Sequence, residues 1–413
     1  MAASRTEKLG SMVLGVNNRL PPTQLGRTLP DRSKATYLLA GENIDINDRG
    51  SVHRRRGLTS RLSGASHSIW GDGRADGYAV LAGDLVRLSP TGSSLASTVL
   101  RAGVSAVRPM SFERFPDGSV VYSNQEVLGR ILNGADGPVV TDPLGSAPVY
   151  GVIAGGLAAG KYMLVATAVG ARGESASTAP VQVQVPADGG IRVSGLPGTP
   201  TRVYMTGPNG EHPTLEIETS AASVDLVTHS ATGIRCQTLN LASMPAGSIV
   251  RHYNSRLLVA SGAFLFISEP YYYGVCDPLR GYIPFPAPIT IVQPVEGGVY
   301  VVADQTYWLA GNLESKFSTL LPYGAVPGTG GFDESTQTTF WLSDRGLIVA
   351  DQIGTVKNVQ EAALALAGGT HGAALYRERN GSKHIVTVRR GAEPITTAGD
   401  GWQPAELTRK ETA

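Results

Sequence analysis

The sequence predicts an all-β fold: a β-propeller of six or seven blades carrying an inserted small β-sandwich. Three observations lead there. Glycine and proline number 51 and 26 in 413 residues, nearly a fifth of the chain where about 12% is ordinary. Charged residues make up 17% and hydrophobic ones 42%, a balance that excludes disorder and argues against long solvated helices. Short apolar hairpins also recur at intervals of 40 to 42 residues.

Each recurring unit is a short apolar strand, a small polar turn and a second apolar strand. The units are Gly77–Pro90 (GYAVLAGDLVRLSP), Ser119–Leu132 (SVVYSNQEVLGRIL), Leu257–Pro270 (LLVASGAFLFISEP), Val299–Asn312 (VYVVADQTYWLAGN) and Thr339–Gln352 (TFWLSDRGLIVADQ). β-Branched and aromatic residues occupy both arms, as strands require. Gly77 to Ser119 and Leu257 to Val299 are steps of 42, and Val299 to Thr339 is a step of 40. A further step of 42 reaches Gly381, just before His384–Val388 (HIVTV), and one step back from Gly77 reaches Ala35. A period of about 40–45 residues carrying strands is the size of a propeller blade. Seven positions result; six closed units fit equally well if the first and last are halves of one blade.

One interval breaks the period. Ser119 to Leu257 spans 138 residues, a step of 42 with an excess of 96. Between Val149 and Val227 the chain reads as strands separated by Gly/Pro turns, with alternation at Lys161–Val169 and Pro180–Val185, the grammar of a small sandwich. The expected organisation is an N-terminal arm (1–34), a first propeller part (35–145), the insert (146–235), a second propeller part (236–404) and a flexible tail (405–413). One helix is expected, Val359–Ala367 (VQEAALALA), capped by Gly368–Gly369.

Charge and cysteine content narrow the function classes. The formal net charge is +1, from 35 basic and 34 acidic residues, which leaves no global footprint for nucleic acid or an anionic membrane. Cys236 and Cys276 fit no zinc spacing and read as buried free thiols. No stretch approaches the ~18 apolar residues of a membrane span. Met1–Leu14 lacks the apolar core of a signal peptide, so an unprocessed product made inside the cell is expected.

Motifs that could carry chemistry fall short of it. Gly155–Tyr162 (GGLAAGKY) nearly matches a phosphate-binding loop, but Tyr162 replaces the hydroxyl residue and a strand follows where a helix is needed. Asp45–Gly50 (DINDRG) begins like a calcium loop, yet Arg49 and Arg56 stand where ligands belong; a hairpin turn accounts for it better. Ser343–Asp344–Arg345–Gly346 departs from the sialidase-type turn in spacing and lacks its Trp. Asp304, Asp344 and Asp351 lie near strand ends, where hairpin-turn acids are common. No catalytic residues, cofactor or metal are therefore expected.

Two features remain as candidate subunit-contact or lumen residues. The basic run His53–Arg56 holds Arg54, Arg55 and Arg56, read either as a solvated strand end or as a contact to nucleic acid or an acidic neighbour. Tyr271, Tyr272 and Tyr273 form the most unusual local feature, because consecutive rings point to both faces of the chain. They suit packing or a subunit contact, with a sugar-stacking loop as the other reading.

Several segments resemble the tail nozzle (tail tubular) proteins of short-tailed bacteriophages: Gly15–Pro22 (GVNNRLPP), Glu42–Gly57 (ENIDINDRGSVHRRRG), Arg256–Pro270 with Tyr273–Pro278, and Tyr307–Gly311 (YWLAG). The insert, in Gly160–Ser177 and Gly189–Tyr204, is similar to the fibronectin-III-like modules of phage structural proteins. The resemblance spans Gly15 to Leu366. It implies a β-propeller protomer in a ring of six copies around the tail axis of a virion, assembled after synthesis in the host cytoplasm. Implied partners are copies of itself, portal, adaptor or other tail proteins, a tail fibre or host-surface component, and genomic DNA in transit. Rival expectations are a glycan-binding or glycan-hydrolysing propeller and a host-adhesion module.

Overall fold

The computed structural model describes residues 11–391, apart from 13, 40–43, 47–50, 55–58, 72–76, 93, 314–315, 365–368 and 380–381. The chain is all-β and of the β-propeller type. It is a succession of small antiparallel sheets, four of them four-stranded meanders, which is the build of propeller blades. Four of the five hairpins expected from the sequence are the inner pair of such a sheet, and Ser119–Leu132 supplies the middle and one edge strand of a three-stranded sheet. Inner strands are buried on both faces: every residue of Val120–Ser123 and of Gly298–Val302 is buried.

The chain divides into two compact units, Leu62–Phe285 and Met1–Arg61 with Pro286–Ala413. In Leu62–Phe285 the first sheet comprises Ser66–Gly71, Gly77–Leu81, Asp84–Thr91 and Ser94–Arg101. The second comprises Ser111–Arg114, Val120–Ser123 and Leu128–Ile131, and the third Ile249–Tyr253, Arg256–Ser261, Phe264–Ile267 and Tyr282–Pro284. The apolar cores lie between these sheets. Val80 and Leu85 of the first meet Phe112, Val120 and Tyr122 of the second. Phe115 and Val121 of the second meet Val250, Leu257 and Val259 of the third. The second and third sheets are therefore direct neighbours although 117 residues separate Ile131 from Ile249; polar bonds stitch the same seam, with Ser111 Oγ accepting from Val250 N–H at 3.2 Å and Ser123 Oγ from Gly247 N–H at 2.9 Å.

The intervening segment forms two sheets of its own. Val149–Leu157, Gly189–Ser194 and Ser223–Leu226 make the first; Gly160–Gly170 pairs with Gly173–Glu174, Val181–Val185 and Thr201–Met205 in the second, and Thr201–Met205 pairs onward with Thr214–Thr219. One core lies between them, built from residues such as Tyr162, Leu164, Ile191, Val193, Val203 and Met205. Arg172, in the turn after Gly160–Gly170, ties this pair of sheets to the second blade. Its guanidinium donates to the carbonyls of Arg130 at 2.8 Å, Pro138 at 3.1 Å and Ala135 at 3.0 Å.

In the other unit, one sheet comprises Ile291–Val295, Gly298–Val302, Thr306–Ala310 and Phe317–Leu321, and the next Gly331–Asp333, Thr338–Ser343, Gly346–Ala350 and Val356–Asn358. Tyr300 and Val302 of one pack with Trp341 and Ile348 of the other. The period then ends in a two-stranded hairpin, His371–Arg379 with Ser382–Arg390. A second hairpin, Ile44–Ile46 with Val52–Arg54, comes from the start of the chain. Asp45 and Arg377 link the two at 3.9 Å, yet each remains its own sheet among the described residues.

The helix expected over Val359–Ala367 is replaced, in its described part, by one turn in which the N–H groups of Ala363 and Leu364 donate to the Gln360 carbonyl; residues 365–368 lie outside the described residues. The reason is competition for carbonyls. Those of Ala363 and Leu364, which a helix needs for its next turn, accept from Asn18 N–H and Arg19 Nε. The Gln360 amide also leaves the helical path, accepting from Leu347 N–H at 3.1 Å.

Replacing Arg172 by Met strands three carbonyl groups at the junction. A destabilisation of about 2 kcal/mol is expected, seen in thermal melts as a midpoint lowered by about 4–8 °C. An unchanged midpoint counts against this junction as a structural tie.

Candidate contact site at the aromatic loop

The loop bearing the three tyrosines hangs on the hairpin that ends in Ile267. Asn254 and Ser255, both with positive φ (45° and 58°), turn the chain tightly between Ile249–Tyr253 and Arg256–Ser261, and the Ser255 carbonyl then accepts from Tyr271 N–H at 2.7 Å. Ser268, fully buried, accepts from Leu257 N–H at 2.8 Å and donates to the Glu269 carbonyl at 3.0 Å. Tyr272 N–H donates to Glu269, and Glu269 N–H to Val275. The loop is thus held by backbone bonds on several sides.

Held this way, the tyrosines part company. Tyr273 turns inward to the seam between the second and third blades, where its ring meets Phe115 edge-on at 4.6 Å and His252 at 5.9 Å. Tyr271 and Tyr272 turn outward, 76% and 40% exposed. Tyr271 sits at φ 64°, in the left-handed region that costs an L-residue roughly 1–2 kcal/mol. A large aromatic kept there and left in solvent is an outlier of the sort that gathers at binding sites.

Behind the loop, the seam carries polar groups that sequence reasoning passed over. Glu113, in Ser111–Arg114, faces Arg251 at 3.8 Å and accepts from His252 N–H at 3.3 Å. Burial pushes its carboxyl upward, against the pull of Arg251. Burial also lowers the His252 imidazole, with Asp117 opposing. In the insert, Glu174 accepts from Thr167 and Tyr204 hydroxyls, each at 2.6 Å, and from Arg202 at 3.0 Å. No spacing in the sequence announces either group, because both are assembled from strands distant along the chain.

The basic candidates belong to the other unit. Arg54 is exposed and ends the strand Val52–Arg54; Arg55 and Arg56 lie outside the described residues. The strand-end acids are committed locally. Asp304 accepts from the Tyr307 hydroxyl at 2.9 Å, and Asp351 from the N–H groups of Ile353 and Thr355 at 2.9 and 2.8 Å. In the turn from Ser343 to Gly346 the Ser343 hydroxyl donates to the Gly346 carbonyl, and the Arg345 guanidinium lies 4.6 Å from the centre of the Tyr323 ring. Gly160 and Lys161 open a strand, and Asp45 pairs with Arg377. Among the described residues no group of three or more His, Cys, Asp or Glu side chains is placed to hold a metal ion.

No family model matches this sequence, and no curated protein sequence does. Among solved structures, the chain is similar to YCF48 from Cyanidioschyzon merolae, with a TM-score of 0.34 and 10% identity over 81% of this chain and 96% of that one. It is also similar to BBS1N in complex with ARL6DN, with a TM-score of 0.31 and 11% identity over 81% and 92% of the two chains. The architecture described above stands on the chain's own sheets.

Three outcomes follow from these environments. Tyr271→Gly removes the left-handed penalty and leaves the melting temperature unchanged or raised, whereas Tyr273→Ala empties the seam and costs about 3 kcal/mol; equal effects in thermal melts refute the inward–outward division. Cys236 and Cys276 are both buried, and burial pushes the Cys276 thiol up to about 11, with Asp277 and Glu269 adding to it. Both thiols are expected to stay silent to an aromatic disulfide reagent until the chain is unfolded. Burial acts to raise the Asp333 carboxyl, but hydrogen bonds from Ser335 and Thr336 outweigh it and hold the group at about 2. A depressed carboxyl stabilises the fold above its ordinary value of 3.8 and loses that contribution as pH falls towards 2. Asp333→Asn should flatten this acid limb in a pH series of melts.

Proposed function

We propose that this chain is a structural virion protein of a tailed bacteriophage: a ring of six copies at the end of the tail tube, acting as nozzle and conduit for the ejected DNA. The observation that carries the reading is the aromatic loop, held by backbone bonds on several sides and presenting Tyr271 to solvent. Aromatic residues on pre-organised loops are favoured anchors of protein contacts.

The residues behind the resemblance also have definite structural work. In GVNNRLPP, Asn17 is 3% exposed and its side chain accepts from Arg19 and Leu20 N–H groups at 3.0 Å, shaping the arm where Asn18 and Arg19 bind the far end of the chain. In the segment ending SEP, Ser268 organises the tyrosine loop. A near-neutral chain also suits a conduit that must release its cargo, since phosphate contacts to basic residues bind DNA strongly. The reading assigns no catalytic step. Its partners are further copies of the chain, portal, adaptor or other tail proteins, and DNA in transit.

The test is the mass of the purified full chain by light scattering and native mass spectrometry. A species about six times 43.2 kDa, shifted to smaller forms by Tyr271→Ala, is the expected result. A monomer at all concentrations that fails to join purified portal or tail components overturns the reading. So does polysaccharide hydrolysis abolished by replacing one strand-end aspartate.

A further inference from the structure

We infer that the free edge of the insert, strand Val149–Leu157, pairs antiparallel with the same strand of a second copy, about a two-fold axis at Gly151. This strand is hydrogen-bonded to Gly189–Ser194 on one side and is the outermost member of its three-stranded sheet. It runs nine residues. No charged residue occurs from Pro143 to Gly160, so the whole strand and its approaches carry no charge. Sheet edges of soluble proteins are normally guarded by charge, proline or a bulge, because unpaired N–H and C=O groups recruit strands. The opposite edges of the insert are guarded in that way: Asp225 lies on Ser223–Leu226, and Glu216 and Glu218 on Thr214–Thr219.

The side chains name the occupant. Val152 lies opposite Ile191 and Tyr150 opposite Val193. Ile191 and Val193 are fully buried in the insert's core and Tyr150 packs against that core, so Val152 faces the core too. It is nevertheless 49% exposed, and Val149, on the other face, is 65% exposed. This core-facing valine lies on an edge that has no hydrogen-bonded strand on its outer side. Opposed residues of an antiparallel pair share a face. A second copy centred on Gly151 therefore sets its Tyr150 beside Val152 and its Ile153 beside Val149, covering both exposed valines. No charge is buried, and aromatic–β-branched and β-branched pairs form on the two faces.

The ends of the strand limit the register. Pro148 precedes it and supplies no N–H, and the ladder shifts between Ala154 and Leu157, so straight pairing is confined to Val149–Ala154. Among registers that keep like faces together, centring on Gly151 buries Val149 and Val152 at once, whereas centring on Val152 leaves Val149 unpaired. The contact is isologous and independent of the six-fold reading above.

Cysteine cross-linking of the full chain reads this register directly, since facing residues of an antiparallel pair lie within disulfide reach. Under mild oxidation Gly151→Cys should form a covalent dimer at least tenfold faster than Val107→Cys, a control at an 83% exposed position. Val149→Cys and Ile153→Cys should each cross-link poorly alone and readily when mixed. Adding Val152→Lys to Gly151→Cys should abolish the dimer. The inference is overturned if Gly151→Cys links no faster than the control, if Val152→Cys links to itself in preference, or if the mixed pair gains nothing. Six-fold mass of the wild-type chain together with no cross-linking of the cysteine variants removes this pairing and leaves the ring; cross-linked variants of a chain without six-fold mass do the reverse.

Discussion

A blade is a single sheet with apolar residues on both faces, so it has no core of its own and is stable only when sheets cover it on either side. The rest of the structure depends on that constraint. It explains why the cores of Leu62–Phe285 lie between successive sheets and why inner strands such as Val120–Ser123 are buried throughout. It also explains how the 117 residues between Ile131 and Ile249 are tolerated. The second blade must lie against the third to bury Phe115, Val121, Leu257 and Val259, and the insert is free only in so far as it leaves that seam intact.

The insert obeys a different rule. Its two sheets bury their inner faces against each other, so it carries a core within itself and needs only a tie to its neighbour. Arg172 supplies that tie by satisfying three backbone carbonyls at the place where the chain leaves the second blade. A self-contained core leaves the sheet margins to be dealt with separately. Ser223–Leu226 and Thr214–Thr219 carry acids at theirs, whereas Val149–Leu157 is long and uncharged.

The abundance of glycine has a more specific cause than turns alone. Gly129 lies opposite Tyr122, and Gly331 opposite Phe340, in adjacent strands, and a Cβ at either glycine meets the partner's ring. Glycine here makes room for a large aromatic within the sheet, and the aromatic in turn covers backbone that glycine leaves bare. Composition alone does not separate this use from a turn.

The blade period, the inner hairpins and the excess of chain between Ser119 and Leu257 were legible because they rest on local alternation and spacing, which a strand imposes on its own residues. The tyrosine triplet was legible as an oddity for the same reason. Which ring turns inward was not, because Phe115, 158 residues earlier, decides it. In the described part of the expected helix at Val359–Ala367 a single turn stands instead, on similar grounds: local propensity favoured a helix, while Asn18 and Arg19 bind the carbonyls of Ala363 and Leu364 from the opposite end of the chain. Glu113 against Arg251 and Glu174 against Tyr204 are likewise meetings of distant strands. Sequence determined where strands run and how often they repeat, since that follows from side-chain pattern over a few residues. Tertiary structure decided which polar groups are satisfied, which ring is buried and which edge stays open, since those depend on what is packed alongside.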